Sequence, residues 1–376
     1  MTSPEKLLRE LIALPSVNPA FISANHSHAG EKNVADFLAA TAGQAGLPVE
    51  FQEISASRSN FLTHLSPSGK ITKRILLAPH LDTVPAANDQ QFSPMKKNGR
   101  IYGRGACDTK GSVAAMLCAL ISLANSAQRP KQTEIFFAGL VDEEDGQRGS
   151  RALAASGLKA DLAIVGEPTE LKIITAHKGN LWLRLETRGK AAHGSTPHFG
   201  KNAVHEMARV VELLETSYAK KLRRRKHPLL GHATISVGTI CGGTQANVVP
   251  DKCLITADRR TLPDETEQSV RREIQQLLRA KNLSVTIDDS RSASCVPLET
   301  DFKLPIVQQF FRSIGQKKAL GVNYFCDAAV LSQAGIPSVV FGPGNIAQAH
   351  TSDEWISTQQ LEQATQMLIR FFKTLP

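Results

Sequence analysis

At 376 residues, with 41% hydrophobic and 21% charged side chains, the chain has a globular composition and room for two or three domains, which excludes disordered, collagen-like and coiled-coil proteins. Lysine and arginine number 44 against 35 acidic residues, a formal +9, and much of the surplus sits in Lys220–Lys226. That run ends at His227-Pro228 and lacks interleaved aromatics, so it reads as a solvated loop and no nucleic-acid partner is expected.

Ser3 can cap a first helix with Pro4 in its first turn and Leu7, Leu8, Leu11 and Ile12 on one face. A second helix is expected near 30–45, and the alternation of Val49-Glu50-Phe51-Gln52-Glu53-Ile54 predicts a strand. Short apolar runs at 75–78, 135–138, 162–165 and 338–341, separated by helical stretches at 111–126, 149–157 and 304–315, predict buried strands of an α/β domain. The rhythm changes between 180 and 288. There the order is strand 181–187, helix 201–217, strands 233–240 and 253–259, helix 266–280 and strand 284–287, a β-α-β-β-α-β unit. The expected organisation is a discontinuous domain, 1–179 plus 289–376, with 180–288 inserted.

Six cysteines occur without a C-x-x-C pair, no apolar run nears the ~20 residues that span a bilayer, and Met1–Lys6 shows no leader pattern. A cytoplasmic protein without disulfides or membrane contact is expected.

The chemistry-bearing residues cluster where predicted strands end, the usual ligand-binding edge of an open α/β sheet. Strand 75–78 runs into Pro79-His80-Leu81-Asp82, and Asp108 precedes the helix that begins at 111. Strand 135–138 leads to Asp142-Glu143-Glu144, strand 162–165 to Glu167, and strand 338–341 to Gly342-Pro343-Gly344 and His350. One such residue is commonly structural; five such sites together, each suited to catalysis or metal binding, are much harder to dismiss.

This set, together with Gly189-Lys190-Ala191-Ala192-His193-Gly194-Ser195-Thr196-Pro197, resembles the metal-dependent aminoacylase/carboxypeptidase family (M20 type) over essentially the whole chain. The resemblance implies a mixed-sheet catalytic domain with helices on both faces and a ferredoxin-like lid or dimerisation insert. It also implies two divalent metal ions, zinc with cobalt or manganese possible, held by His80, Asp108 and Glu167 and by Asp108, Glu144 and His350, Asp108 bridging. Asp82 would orient His80, Glu143 would be the general base toward an activated water, and the peptide after Asp108 would be cis.

In the insert, His193 would reach the partner subunit's site and hold the oxyanion, while Asn247 and Arg260 would contact substrate. Gly194 departs from the family's serine there. The segments around Tyr324-Phe325-Cys326-Asp327 and Gly342–His350 most resemble the acetylornithine deacetylase type. The expected activity is therefore hydrolysis of a small N-acyl amino acid by a homodimer. Desuccinylase, carboxypeptidase or dipeptidase activity, or a catalytically silent binding protein, are the alternatives.

Overall fold

The computed structural model describes residues 3–289 and 295–376, in two compact units. The first comprises Met1–Thr175, Thr300–Leu320 and Cys326–Pro376; the second comprises Ala176–Glu299 and Gly321–Phe325.

The first unit is built on a six-stranded mixed sheet, in the order Glu50–Ser55, Arg58–Leu65, Thr133–Gly139, Lys73–Pro79, Leu162–Gly166 and Ser338–Val340. The four apolar runs read from the sequence are its four parallel strands. The antiparallel edge contains a strand the sequence reading passed over, Arg58–Leu65, in which Phe61, Thr63 and Leu65 are buried. Side chains alternate across the sheet, as strand geometry demands. Ile75 and Leu77 join one large core cluster, whereas Leu76 between them is equally buried outside it. Helix Lys110–Ala124 is apolar on nearly all sides because it lies inside that cluster, against helices Pro4–Ile12 and Thr358–Lys373. Ser3 caps the first helix, its hydroxyl accepting the Lys6 N–H.

A small antiparallel sheet of Met95–Lys97, Arg100–Tyr102 and Trp355–Ser357 joins distant parts of the chain. It brings the segment before Trp355 against Gly103–Asp108.

The second unit holds a four-stranded antiparallel sheet in the order Thr234–Gly242, Lys252–Thr261, Gly179–Arg188 and Val285–Asp289. With helices Ala203–Leu213 and Glu267–Arg279 the chain order is β-α-β-β-α-β. The unit also takes in Ala176–His177, Leu298–Glu299 and Gly321–Val322, which pair into a separate three-stranded sheet. Its limits are thus wider than the 180–288 expected from sequence, and the junction expected near 289 abuts residues outside the described ones.

The basic run is not the free loop that composition suggested. The helix beginning at Ala203 continues through a π-turn, Leu214–Tyr218, and on to Leu222, so Lys220 and Lys221 are helical. Lys221 pairs with Glu273, and Arg225 with Glu265 and Glu273. Buried Leu222 anchors the segment between them. Among the described residues, no helix is long and apolar enough to cross a membrane.

Candidate metal centre

Seven of the residues singled out in the sequence meet in the first unit. His80 directly follows strand Lys73–Pro79, Asp108 precedes helix Lys110–Ala124, and the Asp108–Thr109 peptide is cis. Glu167 follows strand Leu162–Gly166, and His350 sits in a loop with φ +63°. His80 Nε2 lies 3.1 Å from Asp108 Oδ1 and 3.8 Å from Glu167 Oε1. His350 Nε2 lies 3.3 Å from both Asp108 Oδ2 and Glu144 Oε1. The two carboxylate oxygens of Asp108 thus face two different histidines. His80–Asp108–Glu167 and Asp108–Glu144–His350 each present one donor atom per residue within 4.8 Å of the others.

The donor chemistry fits divalent cations. His80 Nδ1 lies 3.0 Å from the Asp82 main-chain carbonyl, to which its N–H donates. A neutral ring then directs the Nε2 lone pair at the Asp108 carboxylate, a repulsive arrangement unless a cation or proton lies between them. The electrostatics agree. Burial pushes the Glu143 and Glu167 carboxyls well above their ordinary range, with Glu167 repelling Glu143 and with Asp108 and Glu144 repelling Glu167. Burial also raises Glu144 against its hydrogen bond to His350. His350 rises to about 10 through its hydrogen bonds to Asp108 and Glu144, and burial opposes the rise. Burial opposes ionisation of Asp108 too, yet hydrogen bonds to His350 and His80 hold it below its ordinary value. These acids are crowded out of water with only two imidazoles for compensation, the surroundings in which positive ions are stabilised.

The Asp82 carboxylate does more than face His80. Its Oδ1 accepts the Glu143 N–H and its Oδ2 the Glu144 N–H, both at 3.1 Å, while His80 Nδ1 is 3.5 Å away. One buried carboxylate therefore ties the loop bearing His80 to the loop bearing Glu143 and Glu144.

Glu354 was not singled out from the sequence. Fully buried, it accepts backbone N–H groups from Gly105, Cys107 and Asp108 and pairs with Arg104. No local pattern in Ser352-Asp353-Glu354-Trp355 announces this role. Only the strand pairing of Trp355 with Tyr102 places it there.

His193, Asn247 and Arg260 lie in the second unit. His193 is exposed and forms a β-bridge with Val248, beside Asn247. Its Nδ1 accepts the Ser195 N–H at 3.2 Å and lies 2.7 Å from the Ser195 hydroxyl. A neutral ring so held carries its proton on Nε2. Gly194 donates its N–H to the Asn247 carbonyl at 2.7 Å. A Cβ at Gly194 would stand 2.9 Å from that carbonyl oxygen and 3.0 Å from the Asn247 Cα. The close approach of the two backbones therefore accounts for glycine where the resembling family has serine. Arg260 is held by Asp258 through Nε at 2.9 Å and Nη2 at 3.2 Å, with its guanidinium 5.8 Å from the Phe325 ring centre.

The chain is similar to known proteins over nearly its whole length. The sequence profile of peptidase family M20/M25/M40 matches residues 76–374. An acetylornithine deacetylase of Edwardsiella ictaluri is 33% identical over 94% of this chain and 92% of its own. One of Proteus mirabilis is 32% identical over 96% and 94%. Among solved structures, the M20 metallo-carboxypeptidase Sso-CP2 of Sulfolobus solfataricus shares the fold with a TM-score of 0.78, at 18% identity and 99% coverage of both chains. A dinuclear metal-binding M20 peptidase of Bacillus subtilis does so with a TM-score of 0.73, at 14% identity, over 99% of this chain and 97% of that one. The chain belongs to peptidase family M20/M25/M40 and is a hydrolase of that family.

Proposed function

We propose that this hydrolase cleaves the amide of a small N-acyl amino acid, in the manner of an acetylornithine deacetylase. The observation that carries the reading is the pair of donor groups sharing Asp108, with Glu143 buried next to Glu144. The support for substrate class is the identity to acetylornithine deacetylases over nearly the whole chain.

His80, Asp108 and Glu167 would hold one divalent ion, and Asp108, Glu144 and His350 the other. Such ions, zinc or its near equivalents cobalt and manganese, supply polarisation of the amide carbonyl and a more acidic water. Glu143 takes a proton from the attacking water as its oxygen bonds to the carbonyl carbon. It then returns that proton to the nitrogen as the carbon–nitrogen bond breaks; water's second proton stays on the new carboxylic acid and is lost as it ionises, leaving a carboxylate, a free amine and one released proton. Asp82 keeps the Glu143 backbone in place during both transfers. In a homodimer formed through the second unit, His193 donates from Nε2 to the developing oxyanion of the partner's site, and Asn247 and Arg260 contact the substrate.

The test is release of free amine from a panel of N-acetyl and N-succinyl amino acids and dipeptides, with zinc or cobalt added. Preference for N-acetyl amino acids supports the reading. Cleavage confined to dipeptides or N-succinyl substrates, or no metal-dependent release from any of them, contradicts it.

A further inference from the structure

A chain of buried polar residues leads away from the metal centre toward the N-terminal helices. Asn18, Glu31, Arg58, Asp82 and Asp142 are all at most 5% exposed. Asn18 is satisfied at every polar atom. Its amide nitrogen donates to Asp82 Oδ2 at 2.8 Å and to Asp142 Oδ1 at 3.0 Å, and its oxygen accepts the Ala20 N–H at 2.9 Å. Arg58 grips Glu31 in bidentate fashion, Nε to Oε2 at 2.9 Å and Nη2 to Oε1, and its Nη1 donates to Asp142 Oδ1 at 2.8 Å. Glu31 in turn accepts the Asp142 N–H at 3.1 Å. Arg148 closes the far side, its Nε donating to Asp142 Oδ2 at 2.7 Å.

Asp142 is the residue immediately before Glu143, and its backbone is left-handed, φ +70°. A side chain in that region is uncommon and costs energy unless its surroundings hold it. Here they do so from both ends: the N–H is fixed by Glu31, and the carboxylate by Arg58, Asn18 and Arg148. The turn that results sends the next two N–H groups, of Glu143 and Glu144, onto the two oxygens of Asp82.

From this geometry we infer that Arg58 is a positioning residue for the Glu143–Glu144 pair. Together with Glu31 and Asn18 it locks the left-handed turn at Asp142, and so decides that one glutamate faces the attacking water and the other the metal. Arg58 touches neither. A lysine cannot reproduce the two-atom grip on Glu31 together with the bond to Asp142, because it lacks the planar fork. Nor can alanine hold φ +70° without its carboxylate anchor, whereas glycine can. The inference rests on the hydrolytic reading for its kinetic consequence, but not for its effect on the metal site.

Four variants test it: Arg58→Lys, Asn18→Ala, Asp142→Ala and Asp142→Gly. For each, folding is followed by circular dichroism, metal per chain by elemental analysis after dialysis, and the site by the visible spectrum of the cobalt-loaded protein. kcat and KM are measured on whichever panel substrate the wild type cleaves. Arg58→Lys should fold, lose roughly 10–100-fold in kcat or metal affinity, the usual cost of removing a group that orients a metal ligand, and keep KM within about twofold. Its cobalt spectrum should differ from that of the wild type. Asp142→Gly should retain more metal and more turnover than Asp142→Ala. The inference is overturned if Arg58→Lys folds with wild-type kcat and cobalt spectrum, or if the glycine and alanine variants at 142 are equally impaired. If Arg58→Lys does not fold, the comparison at 142 decides alone. A wild type that cleaves nothing on the panel removes the hydrolytic reading, while the cobalt spectra and metal contents still judge the positioning role.

Discussion

Glu354 Oε1 accepts the backbone N–H of Asp108 at 3.0 Å, across 246 residues of chain. The same oxygen takes the Cys107 N–H at 2.8 Å, and Oε2 takes those of Gly105 and of the Arg104 guanidinium. The bridging carboxylate candidate is thus set in place by an acid that ligates nothing. In Glu354→Gln the amide NH₂ would face donors where an oxygen stood, leaving buried groups unpaired. A stability loss of about 3 kcal/mol, typical of breaking a buried ion pair, is expected in thermal or urea unfolding, together with reduced bound metal. Wild-type stability and metal content would show that the loop 104–108 holds itself.

Gly194→Ser restores the residue that the resembling family carries, yet should destabilise this chain. The added Cβ meets backbone atoms of Asn247 at 2.9–3.0 Å, not a side chain that could swing aside. Overpacking of this kind costs about 1–3 kcal/mol. A melting temperature equal to that of the wild type would refute the close-approach explanation.

His177 supplies a pH prediction. It is fully buried, its Nδ1 bonded to the Lys178 carbonyl at 2.9 Å, and burial lowers it from 6.5 to about 4. Above pH 6.5 the ring is neutral in both the folded and unfolded chain and contributes nothing to the pH dependence. Between 6.5 and 4 the unfolded chain takes up a proton that the folded one refuses, so stability falls as pH falls, by up to about 3 kcal/mol. Unfolding measured from pH 7.5 to 4.5 should therefore show a steeper loss for the wild type than for His177→Gln. Equal slopes would exclude the assignment.

Three of the candidate metal donors, His80, Glu144 and Glu167, were legible because each follows an apolar run closely, where sequence position and sheet edge coincide. Their grouping into two sites with Asp108 and His350 came from the family resemblance. Glu354, Arg58 and Glu31 were illegible for the opposite reason. Each is a charge in an unremarkable local sequence, and its partners lie across the fold. Strand Arg58–Leu65 was passed over even though Asn60, Phe61, Thr63 and Leu65 are buried, because its polar residues mask the apolar signal. The basic run misled through composition: ion pairs with Glu265 and Glu273, invisible in the local sequence, turn part of it into a packed helix end.

The proposed completion of the site by a second subunit gives a mixing experiment. His193→Ala and Glu143→Gln chains should each be nearly inactive alone. After demonstrated subunit exchange, part of the activity should return, since one site of the mixed dimer has both residues intact. No recovery after exchange would place His193 outside the partner's site.

Glu143 is proposed to move the proton at a centre held together by Asp108. Turnover and bound metal measured side by side for Glu143→Gln, with Asp108→Ala as the control that should lose metal, test it most directly. Glu143→Gln should keep the wild-type metal content while turnover drops by roughly 10²–10⁴-fold. Near-normal turnover in Glu143→Gln, or full metal content in Asp108→Ala, would contradict it.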